Sequence, residues 1–360
     1  MVAIAALLLA VSKGFSHPPK QIRLGLMVPL SGNSASVGER IRNGAQIAVA
    51  DLERNGQHIS LIIEDDKGDS PTAVSVANKL ISSDRVRIII GTAKSDPMLA
   101  IAPITEKNKI ILISPTAGAD AISSAGDYVF RTIELADGHG KAAAEFFSLK
   151  NIRTAGMFVA NASNAQSYGN AFVRHFSETG TLTATSTYNP ADADFRTIIS
   201  KIISTHPQAM YLGVATAKDA GLIVKQSREL GYAGPIVASV AAFAPEFITT
   251  AGSAAEGAYV NAPSFDASVS PALEFNQKYR TRFGADSDGF AANSYDAIML
   301  AARAIHSCGG DSNTDCIRDT LYQTKDYRGV SGTMTFDRNG DVAKPVAIKR
   351  VAGGKFVDAQ

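Results

Sequence analysis

The sequence has almost no excess of charge of either sign. Its 360 residues contain 35 Lys and Arg against 34 Asp and Glu, a formal net charge of +1. Proteins that bind nucleic acid or anionic membrane surfaces usually carry a basic excess, so we expect neither as a partner. Hydrophobic residues make up 45% and charged residues 19%, a composition that favours packed cores over disorder. The length is enough for two domains of ordinary size.

The motifs of common cofactor and nucleophile sites are missing. The first predicted strand is followed by a segment with a single glycine, Gly32, and not by G-x-G-x-x-G. Neither the phosphate loop G-x-x-x-x-G-K-[ST] nor the nucleophile motif G-x-S-x-G occurs. Two aspartate-rich turns resemble calcium loops, but Cys316 and Val342 stand where such a loop needs glycine. We therefore expect no cofactor, no metal and no enzymatic activity.

Cysteine is scarce, with two residues in the whole chain. Cys308 and Cys316 are close in sequence and have no other possible partner. Such a pair predicts a disulfide across a small loop and hence an oxidising compartment. The alternative is two free thiols in a cytosolic protein.

The N-terminus bears on the same question. Val2 to Val11 is an unbroken apolar run, too short for a bilayer span of about 20 residues but typical of the core of a secretory signal peptide. The positive charge that should precede it is missing, so either the true start lies upstream or the segment is not a signal. No cysteine follows it, which excludes a lipid anchor. We predict a signal peptide over residues 1–20, truncated if the start is misplaced, and a periplasmic location.

After residue 20, short apolar runs alternate with helical periodicity, the pattern of an α/β protein. The predicted strands are Ile22–Val28, Ile59–Ile63, Val86–Ile90, Ile110–Ile113, Ile152–Val159, Met210–Val214 and Ile236–Ala238. Helical periodicity then covers Leu273–Phe283, Phe290–His306 and Cys316–Tyr322. The stretches ending at Gly38 and Gly169 share one order of strand, polar loop, glycine and helix. The repetition predicts two lobes of the same topology.

Two predicted strands end in polar segments, residues 91–97 and 114–120. We expect Ser95 or Asp96 to cap a helix that begins at Pro97. In open parallel sheets ligands bind beyond the carboxyl ends of strands, where helix N-termini offer free N–H groups. The two segments together could form a carboxylate cradle, and simple helix capping is the alternative.

The order of short motifs along the chain resembles that of the leucine/isoleucine/valine-type periplasmic binding proteins, the substrate-binding subunits of ATP-driven importers. These motifs are Ile22–Gly25 with Pro29–Gly32, Glu64–Asp66, Ile113–Pro115, Phe130–Thr132, Tyr168-Gly169, Ala255–Gly257, Tyr295–Ala297 and Phe336–Asp341. The resemblance implies an α/β fold of two Rossmann-like lobes joined by a three-crossover hinge, the type I periplasmic binding protein fold. Lobe I would comprise 21–136 plus 264–344, and lobe II 137–263 plus 345–360.

The function implied by the resemblance is that of an extracytoplasmic substrate-binding protein of an ABC importer. Its ligands would be branched-chain amino acids or related small carboxylates, bound between two closing lobes. A monomer would deliver them to an inner-membrane ABC permease. The alternative is a soluble ligand-sensing regulator of the same fold, of the amide-sensor type. The apolar N-terminus and the cysteine pair argue against that alternative.

The family's ligand residues carry over onto this sequence unevenly. The matching positions are Ser95 and the segment Thr116, Ala117, Gly118 for the ligand carboxylate, Tyr168 as a cover, Thr216 as a further contact, Phe290 as an apolar wall, and Val240 where the family's ammonium-binding acid should fall. Gly118 stands where a threonine is usual, and Val37 where a tyrosine is common.

Val240 is the most informative departure, because valine cannot offset a buried positive charge. It predicts a ligand with a carboxylate and an apolar body but no α-amino group. Asp96 or Asp120 remains open as an alternative partner for an ammonium group.

Overall fold

The structure of the protein is a computed structural model that describes residues 21–190 and 192–359. The predicted signal peptide, residues 1–20, lies outside this range. Within the described residues no helix combines the length and the apolar composition needed to cross a membrane.

The first sheet of the described structure is five-stranded and parallel. Its strands are β1 (Ile22–Val28), β2 (Ile59–Asp65), β3 (Ile88–Gly91), β4 (Ile111–Ser114) and β5 (Val129–Arg131), in the spatial order β2-β1-β3-β4-β5. β3 and β4 are buried along their whole length. This explains why they read as continuous apolar runs, since helices cover both faces of a parallel sheet.

The second sheet is seven-stranded in the described residues. Its strands are β6 (Thr154–Ala160), β7 (Thr181–Tyr188), β8 (Ala209–Gly213), β9 (Ile236–Ala238), β10 (Tyr259–Pro263), β13 (Val346–Ala352) and β14 (Lys355–Asp358), in the order β14-β13-β10-β9-β8-β6-β7. The last two strands are antiparallel to their neighbours. A separate hairpin pairs β11 (Tyr327–Gly329) with β12 (Gly332–Met334).

Helices cover the sheets. They are α1 (Ala35–Arg54), α2 (Ser70–Ser82), α3 (Ser95–Lys107), α4 (Ala136–Leu149), α5 (Ser163–Phe176), α6 (Arg196–Ile203), α7 (Ala217–Glu229), α8 (Pro245–Ala251), α9 (Ala272–Phe283), α10 (Gly289–Ser307) and α11 (Thr314–Tyr322). Aromatic packing is concentrated around the second sheet, where Phe172 stacks on Tyr211 and on Phe176.

The described chain passes between the two sheets three times: between β5 and α4, between β10 and α9, and between Val342 and β13. The predicted α/β fold with two parallel-sheet lobes is therefore confirmed. The exact lobe limits, 21–136 plus 264–344 and 137–263 plus 345–360, remain our proposal.

Two local predictions near the sheet ends are wrong. Helix α3 begins at Ser95 with Lys94 as its N-cap, and no side chain caps it, so neither Ser95 nor Asp96 is the cap. Pro97 falls inside the first turn, where its missing N–H costs nothing because that turn has no intrahelical acceptor. Tyr168 lies within α5 and not in a loop before a helix.

The cysteine pair and the aspartate-rich turns have structural roles. The predicted disulfide between Cys308 and Cys316 is confirmed, and it joins the end of α10 to α11. In the aspartate-rich turn before α11, the Asn313 side chain accepts a hydrogen bond from the Cys316 N–H and caps the helix. In the other aspartate-rich turn, Asp341 forms a buried ion pair with Arg131.

Candidate functional site

A cavity of about 60 Å³ lies where the carboxyl ends of the two sheets face each other. The first wall consists of residues that follow β1, β3 and β4, together with the start of α10: Asn33, Ser34, Val37, Ala93, Lys94, Thr116 and Phe290. The second wall consists of residues on α5 and after β8 and β9: Asn164, Tyr168, Ala215, Thr216, Ala217, Val240, Ala241 and Ala244. We call this space the central cavity. Its place agrees with the rule for ligands in open α/β sheets.

The structure brings five of the eight predicted ligand residues together in this lining, namely Thr116, Tyr168, Thr216, Val240 and Phe290. Val37, which the sequence also singled out, is among their neighbours. Ser95, Ala117 and Gly118 do not line the central cavity. Ser95 lines an adjoining cavity, and Ala117 is buried against the core of the first sheet.

Gly118 does not line the cavity, but it leaves space for the ring of Tyr168, which does. A β-carbon at Gly118 would lie 2.1 Å from the Tyr168 Oη, closer than any real contact. The family's usual threonine could not stand here with the tyrosine ring in its present position. Glycine at 118 therefore lets the ring of Tyr168 pack against the segment that follows β4.

The hydroxyl groups of the predicted ligand residues Ser95, Thr116 and Thr216 already make hydrogen bonds within the protein. The Ser95 Oγ accepts a hydrogen bond from the Ala119 N–H at 3.1 Å. The Thr116 Oγ1 donates to the Ala93 carbonyl at 2.9 Å, and the Thr216 Oγ1 donates to Asp219 Oδ1 at 2.8 Å. The Ser95 hydroxyl can still donate a hydrogen bond, whereas the hydroxyls of Thr116 and Thr216 each donate one already.

Lys94 is the charged member of the central-cavity lining in the described residues, and no carboxylate accompanies it there. Sequence reasoning passed over Lys94, which was visible only as one polar residue in a strand-end loop. Asp219 lies behind Thr216, and burial raises its pKa. Asp66 lies beyond β2, and burial raises its pKa to about 6. Neither acid belongs to the lining.

The ring of Tyr168 is backed by a neutral histidine. Tyr168 is 1% exposed, and its ring meets that of His139 edge to face at 5.3 Å. Complete burial lowers the pKa of His139 to about 3, so the imidazole is uncharged at neutral pH. Burial also raises the pKa of the Tyr168 hydroxyl, which keeps its proton. The second wall therefore presents no charge to the cavity from this direction.

Direct contacts join the two sides of the cleft. The Ser36 Oγ donates to Glu246 Oε2 at 2.7 Å, and the Arg40 Nη2 donates to the Phe243 carbonyl at 3.1 Å. On the other side, the Asp120 N–H donates to the Ser167 Oγ at 3.0 Å. Ser163 also donates to Asp96. These contacts describe a closed cleft.

The two acids left open as ammonium partners do not reach the central cavity. Asp96 lines the adjoining cavity and accepts its hydrogen bond from Ser163. Asp120 is exposed at the start of a short 3-10 helix and lines neither cavity.

A buried ion pair ties together two of the segments that pass between the sheets. Glu134 follows β5 and Lys344 precedes β13, and their charged groups are 3.5 Å apart with side-chain exposures of 1% and 2%. The Lys344 Nζ also donates to Asn293 Oδ1 at 2.5 Å and to Ser331 Oγ at 3.1 Å. This pair joins the segment that follows β5 to the segment that precedes β13.

Comparisons with known proteins agree with this architecture. A family model described as Periplasmic binding protein matches residues 21–355. The Leu/Ile/Val-binding protein BraC3 of Rhizobium johnstonii is 25% identical over 350 residues, covering 94% of this chain and 94% of the relative. The crystal structure of a leucine binding protein, LivK of Thermotoga maritima, superimposes with a TM-score of 0.89 at 27% identity, covering 94% of this chain and 98% of that one.

A solute binding protein of an ABC transporter from R. palustris, solved in complex with benzoate, also has this fold. Its TM-score is 0.85 at 22% identity, with coverage of 94% of this chain and 95% of that one. At this identity the likeness concerns the fold alone.

Proposed function

The chain belongs to the periplasmic binding protein family, and from that premise we propose that it is the extracytoplasmic substrate-binding protein of an ABC importer for small carboxylates that lack an α-amino group. The ligand would bind in the central cavity, and the closed protein would deliver it to an inner-membrane permease. We propose that the protein works as a monomer and performs no chemistry on its ligand.

The observation that carries the ligand class is the composition of the second wall. Val240 follows β9, where the family's ammonium-binding acid is expected, and its neighbours Ala241 and Ala244 also line the cavity. An ammonium group enclosed there would lose its hydration without gaining a carboxylate partner, at a cost of several kcal/mol. A carboxylate with an apolar body avoids that cost.

Known ligands within this fold make both classes reasonable. The relatives are named for leucine, isoleucine and valine, whereas the R. palustris protein holds benzoate, a carboxylate without an amino group. The relatives favour a second candidate function, the binding of branched-chain amino acids. The lining of the central cavity supports the first.

Closure would follow from the way the walls share the ligand. A molecule held by the first wall and covered by Tyr168 and Val240 contacts both sides only when the cleft is shut. Ligand binding therefore favours the closed state over the open one, in proportion to the difference in contacts.

The experiment is a thermal-shift panel of matched pairs: leucine with 4-methylpentanoate, phenylalanine with 3-phenylpropanoate, and benzoate alone. A ligand that binds the folded state stabilises it by about 2.7 kcal/mol at a hundredfold excess over its Kd. We expect the deaminated acids to raise the melting temperature at least as much as their amino acids. Shifts confined to the amino acids would instead establish the second candidate.

A further inference from the structure

A second cavity, of about 180 Å³, adjoins the central one. The two linings share Lys94, Asn164, Ala215 and Thr216, so the spaces meet along these four residues. We call the second space the side cavity. It is the more polar of the two, with Ser70, Ser95 and Asn161 among its lining residues.

The Lys94 ammonium lies toward the side cavity. A β-carbon built at Gly68, which lines that cavity, would be 3.4 Å from the Lys94 Nζ. In residues 21–190 and 192–359, the Lys94 ammonium has no partner within hydrogen-bond or ion-pair distance, although the Lys94 carbonyl accepts hydrogen bonds from Thr92 and Met98. Asp66, Asp69 and Asp219 act on its charge only from farther away. A half-buried lysine without a hydrogen-bond acceptor is a group that a ligand can satisfy.

Unlike the Lys94 ammonium, the two carboxylates that line the side cavity already have hydrogen-bond partners. Asp69 accepts two hydrogen bonds from Thr72, from its N–H and its Oγ1, both at 2.9 Å. Asp96 accepts a hydrogen bond from Ser163 across the cleft. Both carboxylates line the side cavity, and both would repel a second negative charge placed there. The arrangement suits a single anionic group next to Lys94.

Building on the proposed function, we infer that Lys94 is the specificity-determining anchor for a monocarboxylate. The carboxylate lies at the junction of the two cavities beside Lys94, and the apolar body fills the central cavity against Tyr168, Val240 and Phe290. Ser95 adds a hydrogen bond from its free proton. Thr116, whose hydroxyl already donates a hydrogen bond to the Ala93 carbonyl, contributes contact and no hydrogen bond to the carboxylate.

The test compares an acid with its uncharged amide in parent and Lys94 variants. The probes are 4-methylpentanoate, 4-methylpentanamide and the dicarboxylate glutarate, and the readout is the Kd from titration calorimetry. Lys94→Met should weaken binding of 4-methylpentanoate by about tenfold to a hundredfold, as expected for loss of a charge-assisted hydrogen bond. It should leave binding of the amide nearly unchanged. Lys94→Arg should retain most of the affinity for the acid, and glutarate should bind the parent more weakly than 4-methylpentanoate.

Lys67→Met is the matched control. Lys67 is an exposed cation beside Gly68 and lines neither cavity, so its removal changes the local field without touching the ligand. Melting curves of each variant establish that it is folded.

The outcomes separate this inference from the proposed function. If the parent binds 4-methylpentanoate and Lys94→Met binds it equally well, Lys94 is not the anchor and the function stands. If Lys67→Met weakens binding as much as Lys94→Met does, the effect is one of long-range field and the inference fails. If the parent binds leucine but no simple carboxylate, the proposed function itself is wrong.

Discussion

The two walls of the central cavity differ in the chemistry that they present. The first wall carries the lysine, two hydroxyls (Ser34 and Thr116) and an amide, on segments that follow β1, β3 and β4. The second wall is formed mainly by alanine, Val240 and the ring of Tyr168, with neutral His139 behind the ring. Its polar members are the Asn164 amide and the Thr216 hydroxyl, which already donates to Asp219, so the clearest difference is the lysine of the first wall. Both walls stand at the carboxyl ends of parallel strands, so the fold alone does not explain the difference.

The difference teaches how one fold can sort ligands. The first wall would bind the charged end of a ligand. The second wall would select ligands by the shape and polarity of their uncharged part. A change in the first wall should therefore alter whether an anion binds, and a change in the second wall should alter which anion binds. Substitutions in each wall, and in the residues that keep the walls in place, test this division.

The largest effect is expected where the walls are held in register. Lys344→Met leaves Glu134 as an unpaired charge in a site with 1% exposure, which typically costs about 3–5 kcal/mol. Urea unfolding of the variant should show this loss in the free energy of unfolding. The double variant Glu134→Gln with Lys344→Met removes the stranded charge, and it should recover a large part of the loss. A single variant as stable as the parent would show that the pair does not support the connecting segments.

The next effect concerns the ring of Tyr168, which lies against Gly118 on the other side of the cleft. Gly118→Ala places a methyl group against the Tyr168 Oη, and overpacking of this kind costs about 1–3 kcal/mol. We expect weaker binding of carboxylates and a lower melting temperature. Tyr168→Phe removes the clashing oxygen, so the double variant should be less impaired than Gly118→Ala alone. Strictly additive effects of the two changes, measured by calorimetry and melting, would deny the contact between them.

The second wall can be given the charge that it lacks. Val240→Glu should shift preference toward amino acids, raising the ratio of leucine affinity to 4-methylpentanoate affinity by about tenfold, about 1.4 kcal/mol. Val240→Gln has similar shape and no charge, and it should change the ratio much less. An unchanged ratio in the glutamate variant would place the ammonium position elsewhere in the cleft.

The smallest effect comes from the histidine behind Tyr168. Its pKa is lowered by burial from 6.5 to about 3, so the unfolded chain takes up a proton that the folded protein refuses. The contribution of neutral His139 to stability is therefore present above pH 6.5 and is lost as the pH falls toward 3. At pH 6 the loss from His139 is on the order of 1 kcal/mol relative to pH 8.

The readout for His139 is a difference between two proteins. Asp66 and Asp296 have pKa values raised by burial to about 6, so they favour the folded state as the pH falls below that value and oppose His139. His139→Leu keeps both acids and removes the histidine. Between pH 8 and pH 6, the change in its free energy of unfolding should be more favourable to the folded state than the parent's change. Equal changes in the two proteins would mean that His139 titrates normally.

The fold was largely predictable because its signals are local. Strands such as Ile22–Val28 and Ile236–Ala238 follow from apolar runs between polar segments, and their observed limits match the predicted ones. Weaker strands such as β7 were missed because most of its residues are partly or fully exposed and polar threonines alternate through it. Helix starts were misjudged at α3 and α5, where no side chain caps the first turn.

The site was predictable only in part, because it depends on contacts between distant segments. Tyr168, Val240 and Phe290 come from three separate stretches of chain and were found through a family resemblance. The hydrogen bond from the Ala119 N–H to Ser95 and the unpaired ammonium of Lys94 depend on the exact position at which α3 begins. No spacing rule reveals these features, and only the assembled cleft shows them.

Calorimetric titration of the parent protein with leucine and with 4-methylpentanoate tests the central claim most directly. The two molecules share a carboxylate and an apolar body of the same shape, and they differ in the ammonium group alone. Because the described central-cavity lining offers Lys94 and no acid, we predict that 4-methylpentanoate binds at least as tightly as leucine. Tight binding of leucine with no measurable binding of 4-methylpentanoate would contradict the account.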